Sequence, residues 1–212
     1  MAASSMNHFA DISESLGGYD MKITTQHIPL CIVNGIRRFS MNSIPIAGFR
    51  DEPPSITDVD KRSIVIEKNH SLLYNEMLVT RIAMLPLKQT AMPTILSKWD
   101  KDTKKRIHYF ERTDTLPIAS YEIKSESQAP GLKDVSTNDI MVKVGDESIE
   151  SKDLFVSDIN INTPILIHCL MFPYPSVDVP LAFKGTPVIG TGKENSSFTP
   201  VGTTSMRFVV DD

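Results

Sequence analysis

Apolar and polar positions alternate along this chain with two different periods. Between Leu30 and Asn42, Ile32, Ile36 and Phe39 fall at i, i+4 and i+7, one stripe of a helix. The spacing predicts an amphipathic helix over about 29–42. Pro29 suits its first turn, where a missing N–H costs nothing, and Ile44-Pro45 ends it, because the residue before a proline is pushed out of the α region. Arg37 and Arg38 are adjacent, so they point about 100° apart: one can reach outward while the other braces the local fold.

Elsewhere the period is two. Ser63–Lys68 places Ile64 and Ile66 on one face and Val65 on the other, which predicts a strand. Asn69 and Ser71 suit the corner that follows, since their side chains can fold onto nearby backbone N–H groups. A second helix is expected next, with Asn75 as its N-cap, Glu76 in the first turn, Leu78 and Ile82 on one face, and Pro86 as its stop. Further strands are predicted over Tyr19–Thr24, Arg106–Phe110, Ile118–Lys124 and Ile140–Val144, and the continuous apolar run Pro164–Met171 predicts a buried one. Residues 1–18 are polar and expected to be loose, with Gly17-Gly18 as a hinge; 47–62 and Ser125–Asn138 are expected loops, the latter turning at Pro130-Gly131. The class is α+β, rich in strands.

Composition narrows the function classes. The chain has 212 residues, 41% apolar and 23% charged, with a net charge of −4. One domain or two small lobes fit this length equally well. A chain gripping DNA by its own phosphate contacts should carry a basic patch. The strongest basic run, Lys101–Arg106, is better explained as the solvated end of a hairpin. No charged-then-apolar start and no long apolar run is present, so an intracellular protein with no membrane partner is expected. Cys31 and Cys169 lie in apolar surroundings, are expected to be buried core thiols, and cannot complete a zinc site as a pair.

Candidate chemistry is thin. Glu76 and Arg81 invite an acid–base reading, but nothing nearby supplies a nucleophile or metal, so surface charges or an ion pair are expected. His168, inside an apolar strand, is expected to be a satisfied core histidine. Gly190-Thr-Gly-Lys-Glu194 suggests a phosphate loop, yet Glu194 stands where such a loop needs Ser or Thr for magnesium, and its upstream glycine would fall at Pro187. A dinucleotide fingerprint fails as well: position 195 is Asn, and Thr199-Pro200 interrupts the helix that should follow.

Three blocks taken together resemble the alpha-like subunits of multisubunit DNA-directed RNA polymerases, a family that takes in the archaeal alpha-like subunit, the eukaryotic third-largest subunit and the bacterial alpha amino-terminal domain. The first is Leu30–Phe39 with Asn34, Arg37 and Arg38, running into Ile44-Pro45; the second is Asn69–Glu76 leading to Arg81–Leu87. The third, Gly190–Val201, is similar in register to the family's Gly-x-Gly-Lys-Glu-His-Ala-Lys-Trp-Ser-Pro-Val segment. This chain has Asn195 for His, Phe198 for Trp and Asn75 where Asp is common, and it lacks the cysteine clusters that hold zinc or iron–sulfur centres in some members. Divergence of this kind resembles copies carried by large DNA viruses, which would put the protein in the host cytoplasm or virion, or the nucleus.

The resemblance implies a non-catalytic scaffold: a polar segment over 1–18, the first part of a dimerisation lobe over 19–46, and an inserted β-rich lobe over 47–212. An eleventh-subunit-like partner would dock on the first helix through Ile32, Ile36 and Phe39. Arg37, Arg38 and the turn from Asn69 to Arg81, with Asn69, Ser71, Glu76 and Arg81, would face the second-largest subunit, and Asn34, Ile44 and Pro45 would also lie at a subunit interface. Gly190, Gly192, Lys193, Glu194 and Pro200 would form a docking loop. No cofactor is implied in this chain; magnesium would sit in the large subunits, and DNA would be met only through the complex. Thr203–Asp212 is too short for the closing strand and long helix of the family's dimerisation lobe, so the rest is expected on a separate chain or outside this sequence. Two other classes stay open: a stand-alone hydrolase using His168 or Glu194, and a self-assembling structural protein.

Overall fold

The computed structural model describes residues 9–15, 20–25, 28–51, 62–122, 131–156, 164–172 and 180–208. The described residues form an α+β fold whose named strands all pair antiparallel. β1 (Phe9–Ser15) and β2 (Asp20–Thr25) make a hairpin, α1 (Leu30–Asn42) follows, and β3 (Ile46–Gly48) leads to β4 (Ile64–Asn69) and α2 (Asn75–Ala83). β5 (Ile95–Asp100) and β6 (Lys105–Phe110) form a second hairpin. Next come β7 (Pro117–Glu122), β8 (Gly131–Ser136), β9 (Met141–Val144), β10 (Glu147–Ile149), α3 (Ser151–Leu154), β11 (Leu166–Phe172), β12 (Leu181–Gly185) and β13 (Val188–Gly190).

A five-stranded sheet in the order β10-β9-β7-β12-β4 carries the core. Alternation along β7 turns Pro117, Ala119 and Tyr121 inward. Phe183 on β12 stacks on Tyr121 with ring centroids 5.5 Å apart. Leu78 and Ile82 of α2, both fully buried, pack in the same cluster as Val135 of β8, Ile167 and Leu170 of β11, and Leu154 and Phe155 at the end of α3. Fully burying side chains of this size stabilises by about 1.5–3 kcal/mol each. Burial, and secondarily the Asp139 carboxylate, pushes the Tyr121 hydroxyl up to about 12.

Several expectations shift. The first helix and the strands near 64, 106, 118, 141 and 166 stand within two residues of their predicted ends. The chain start, expected to be loose, holds β1, which pairs with β2 from Ser15↔Asp20 to Phe9↔Thr25; the hinge at Gly17-Gly18 lies outside the described residues. Part of the expected loop over Ser125–Asn138 is β8, recruited by β11 through Phe172↔Gly131 to Leu166↔Ser136. Polar GLKDVS carries no strand signal, but Val135 is buried and the partner edge satisfies its backbone. Tyr74, not Asn75, occupies the N-cap position of α2. Cys31 is exposed, because α1 contributes no residue to the core, and Cys169 on β11 is half-buried rather than buried.

Candidate subunit interface

Helix α1 has no buried residue. Its apolar stripe is laid open: Ile32 and Ile36 are half exposed, as is Leu30, and Phe39 is 59% exposed. The β1–β2 hairpin likewise shows Ile12, Met21 and Ile23, which alternation and the Ile12↔Ile23 register put on one face. What anchors α1 is its C-terminal end. The orphan carbonyl of Asn42 accepts a 3.0 Å hydrogen bond from the Lys193 N–H, and the Thr204 hydroxyl donates to the Arg37 carbonyl at 3.3 Å. Arg37 turns along its own helix, donating from Nε and Nη2 to Asn34 Oδ1 at 3.1 and 2.9 Å, while Arg38 is exposed. Ile44 and Pro45 are half-buried where the chain enters β3.

The Gly190–Val201 segment is the clasp on that end. β13 pairs with β3 through Gly190↔Ile46, and the Phe198 ring is fully buried beside the two strands. Gly190 is required by contact: a Cβ there would lie 2.5 Å from the Phe198 ring, and one at Gly48 would lie 3.1 Å from it. A Cβ at Gly192 would come closer than 3.0 Å to the Met41 carbonyl oxygen. Arg50 lies 5.4 Å over the Phe198 ring, donates to the Ile189 carbonyl at 2.8 Å, and pairs with Glu194 at 3.2 Å. The N–H groups a phosphate loop would aim at a ligand are already committed: Lys193 to Asn42, and Glu194 and Asn195 to the Thr191 carbonyl. Lys193 and Pro200 stay exposed.

The Asn69–Glu76 block forms a corner between β4 and α2. Asn69 holds it. Its Oδ1 accepts from the Ser71 N–H at 3.0 Å and hydroxyl at 2.7 Å, and its Nδ2 donates to the Leu73 carbonyl at 2.8 Å and to Asn75 Oδ1 at 2.7 Å. Asn69 and Ser71 therefore spend their hydrogen bonds inside the turn. The groups displayed are Leu72, 84% exposed, Tyr74, 75% exposed, and Met77; Tyr74 borders a shallow depression of about 280 Å³ lined also by Leu73 and Glu76. These three apolar side chains lie within the turn expected at an interface but are not the residues expected to carry it. The signal that could have found them is an apolar run placed directly after a turn-forming Asn-His-Ser. Arg81 makes no ion pair with Glu76; its guanidinium donates 2.9 Å to the Ile167 carbonyl and so ties α2 to β11.

His168 is buried as expected but not satisfied, since Nε2 has no partner among the described residues. Burial, and then the nearby Arg81 charge, hold its pKa below the usual histidine value. Among the described residues, no group of three or more His, Cys, Asp and Glu could hold a metal ion, and no helix is long and apolar enough to cross a membrane. No family model matches the chain.

Proposed function

We propose that this chain is a non-catalytic assembly subunit of a DNA-directed RNA polymerase, of the alpha-like kind that its three sequence blocks resemble. The observation that carries the reading is α1, a helix clamped at its C-terminal end with its apolar stripe uncovered. Burying such a stripe is what a permanent heteromer does, and permanent interfaces are more apolar than transient ones. An eleventh-subunit-like chain would cover Ile32, Ile36 and Phe39. Arg38 and the Leu72–Met77 corner would meet the second-largest subunit, with Asn69, Ser71, Arg37 and Arg81 acting behind them as braces.

The test is affinity purification of the tagged full chain from its native source. Stoichiometric recovery of two very large subunits and a small alpha-like partner is expected. Recovery of the chain with neither large subunit overturns the reading. The same open stripe favours one second reading, self-association through α1. Light scattering on the purified chain separates the two, since a stable symmetric homo-oligomer whose α1 is protected would leave no face for a different partner.

A further inference from the structure

The β5–β6 hairpin is the other surface with unspent chemistry. From Ile95 to Arg112 it carries six cations against three acids, in a chain whose net charge is −4. One acid is already used: the Asp100 carboxylate accepts from the Thr103 hydroxyl at 2.5 Å and from the Asp102 and Thr103 N–H groups, shaping the turn. Register sets what each side of the ribbon shows. Trp99 is opposite Arg106 on one face; Lys98 opposite Ile107 and Leu96 opposite Tyr109 share the other. Trp99 is 64% exposed, and the Lys98 ammonium lies 5.6 Å over the Tyr109 ring. Beside the turn end of the ribbon opens a cleft of about 440 Å³ lined by Arg50, Lys105, Arg106, His108 and Glu194. Glu194 is paired with Arg50, so Lys105 and Arg106 remain as cations facing the opening.

We propose that the Trp99–Arg106 face of this ribbon and the cleft beside its turn bind single-stranded nucleic acid, with a base stacking on Trp99 and phosphates held by Lys105 and Arg106. Base stacking on an open aromatic face beside phosphate-binding cations is a means by which single strands are held without sequence preference. A duplex hides its base faces, and an acidic peptide has none to offer an open indole. The inference rests on the ribbon alone and is independent of the polymerase reading, under which DNA contact was expected only through other subunits.

Trp99 is the one tryptophan of the chain, so its fluorescence reports the site directly. The full chain, kept dilute, is titrated with oligothymidylate of about fifteen nucleotides, a length within the span of known single-strand sites. Quenching of the indole is expected, with the logarithm of affinity falling with the logarithm of salt at a slope of about −1.4 for two phosphate contacts. Trp99→Ala should weaken binding of a labelled strand roughly tenfold, and Trp99→Phe should retain most of it. Arg106→Gln should flatten the salt slope to about −0.7. These exposed sites should leave the melting temperature in place; if Arg106→Gln melts early, Lys105→Gln gives the slope change instead. No quenching at low salt overturns the proposal. So does equal affinity for a duplex of the same length or for polyglutamate, or binding that Trp99→Ala leaves unchanged.

Discussion

Replacing Gly192 with alanine tests whether the Gly-Lys-Glu segment is a clasp on α1. The new Cβ would lie under 3.0 Å from the Met41 carbonyl oxygen and 2.9 Å from Thr199 Oγ1. Thr199 can rotate, but the Met41 carbonyl belongs to the last turn of α1 and cannot yield without moving the helix end. Overpacking against backbone costs about 1–3 kcal/mol. Displacing the loop also breaks the Lys193 N–H to Asn42 carbonyl bond, worth about 0.5–1.5 kcal/mol. A loss of about 3 kcal/mol corresponds to a melting-temperature drop of about 6–12 °C for a chain of this size. Gly35→Ala is the internal control: it lies in the same helix, its Cβ would meet nothing within 4 Å, and relief of the glycine penalty should stabilise by about 0.5–1 kcal/mol. The assay is thermal unfolding of both variants, with hydrogen exchange over residues 38–43 and 190–195. A Gly192→Ala protein that melts with the unaltered chain and keeps both segments protected refutes the clasp.

Arg37→Ala with Arg38→Ala should cost the isolated fold about 1 kcal/mol or less, through the lost Arg37–Asn34 bracket, yet weaken docking on the second-largest subunit by about 2 kcal/mol or more, because Arg38 is the anchor and Arg37 its brace; unchanged incorporation into the complex contradicts the interface assignment. Expressed alone, the chain should aggregate or exchange amides quickly over 30–40 and become protected when its partner is added, because an open apolar stripe is a liability in a monomer; a monodisperse monomer already protected there rejects the heteromer. Stability should fall as pH drops below about 6.5 toward the lowered pKa of His168, because the unfolded chain takes up a proton that the buried imidazole resists, and His168→Gln should flatten that dependence; denaturant midpoints that are identical for both proteins between pH 5 and 7 rule out this linkage. Calorimetry of Lys193→Ala against the unaltered chain should show no magnesium-dependent ATP binding in either, since the loop's N–H groups are committed; micromolar binding lost in the variant restores the phosphate-loop reading.

Elements whose signal is local were legible in the residues. The i, i+4, i+7 spacing of Ile32, Ile36 and Phe39, with prolines at both ends, specified α1 almost to the residue, because periodicity and proline sterics act within a few positions. The Asn69–Ser71 corner was legible for the same reason, as was the hairpin end at Lys101–Arg106. The split between Arg37 and Arg38 followed from helical geometry, although which of them would turn inward depended on Asn34 lying three residues back.

What was not legible depends on partners distant in the chain. The polar run Gly131–Ser136 becomes a strand because β11 offers an open edge, and nothing within the run announces it. Gly48, Gly190 and Phe198 look unrelated until β3 pairs with β13 and the ring fills the space their missing Cβ atoms leave. Cys31 was expected in the core from its apolar neighbours, yet lies exposed because the described chain folds no element over α1. Periodicity tells which face of an element is apolar. Whether that face meets the protein's own core, another chain or water is set by where the sheet places the element, a sum of long-range pairings that no local window contains.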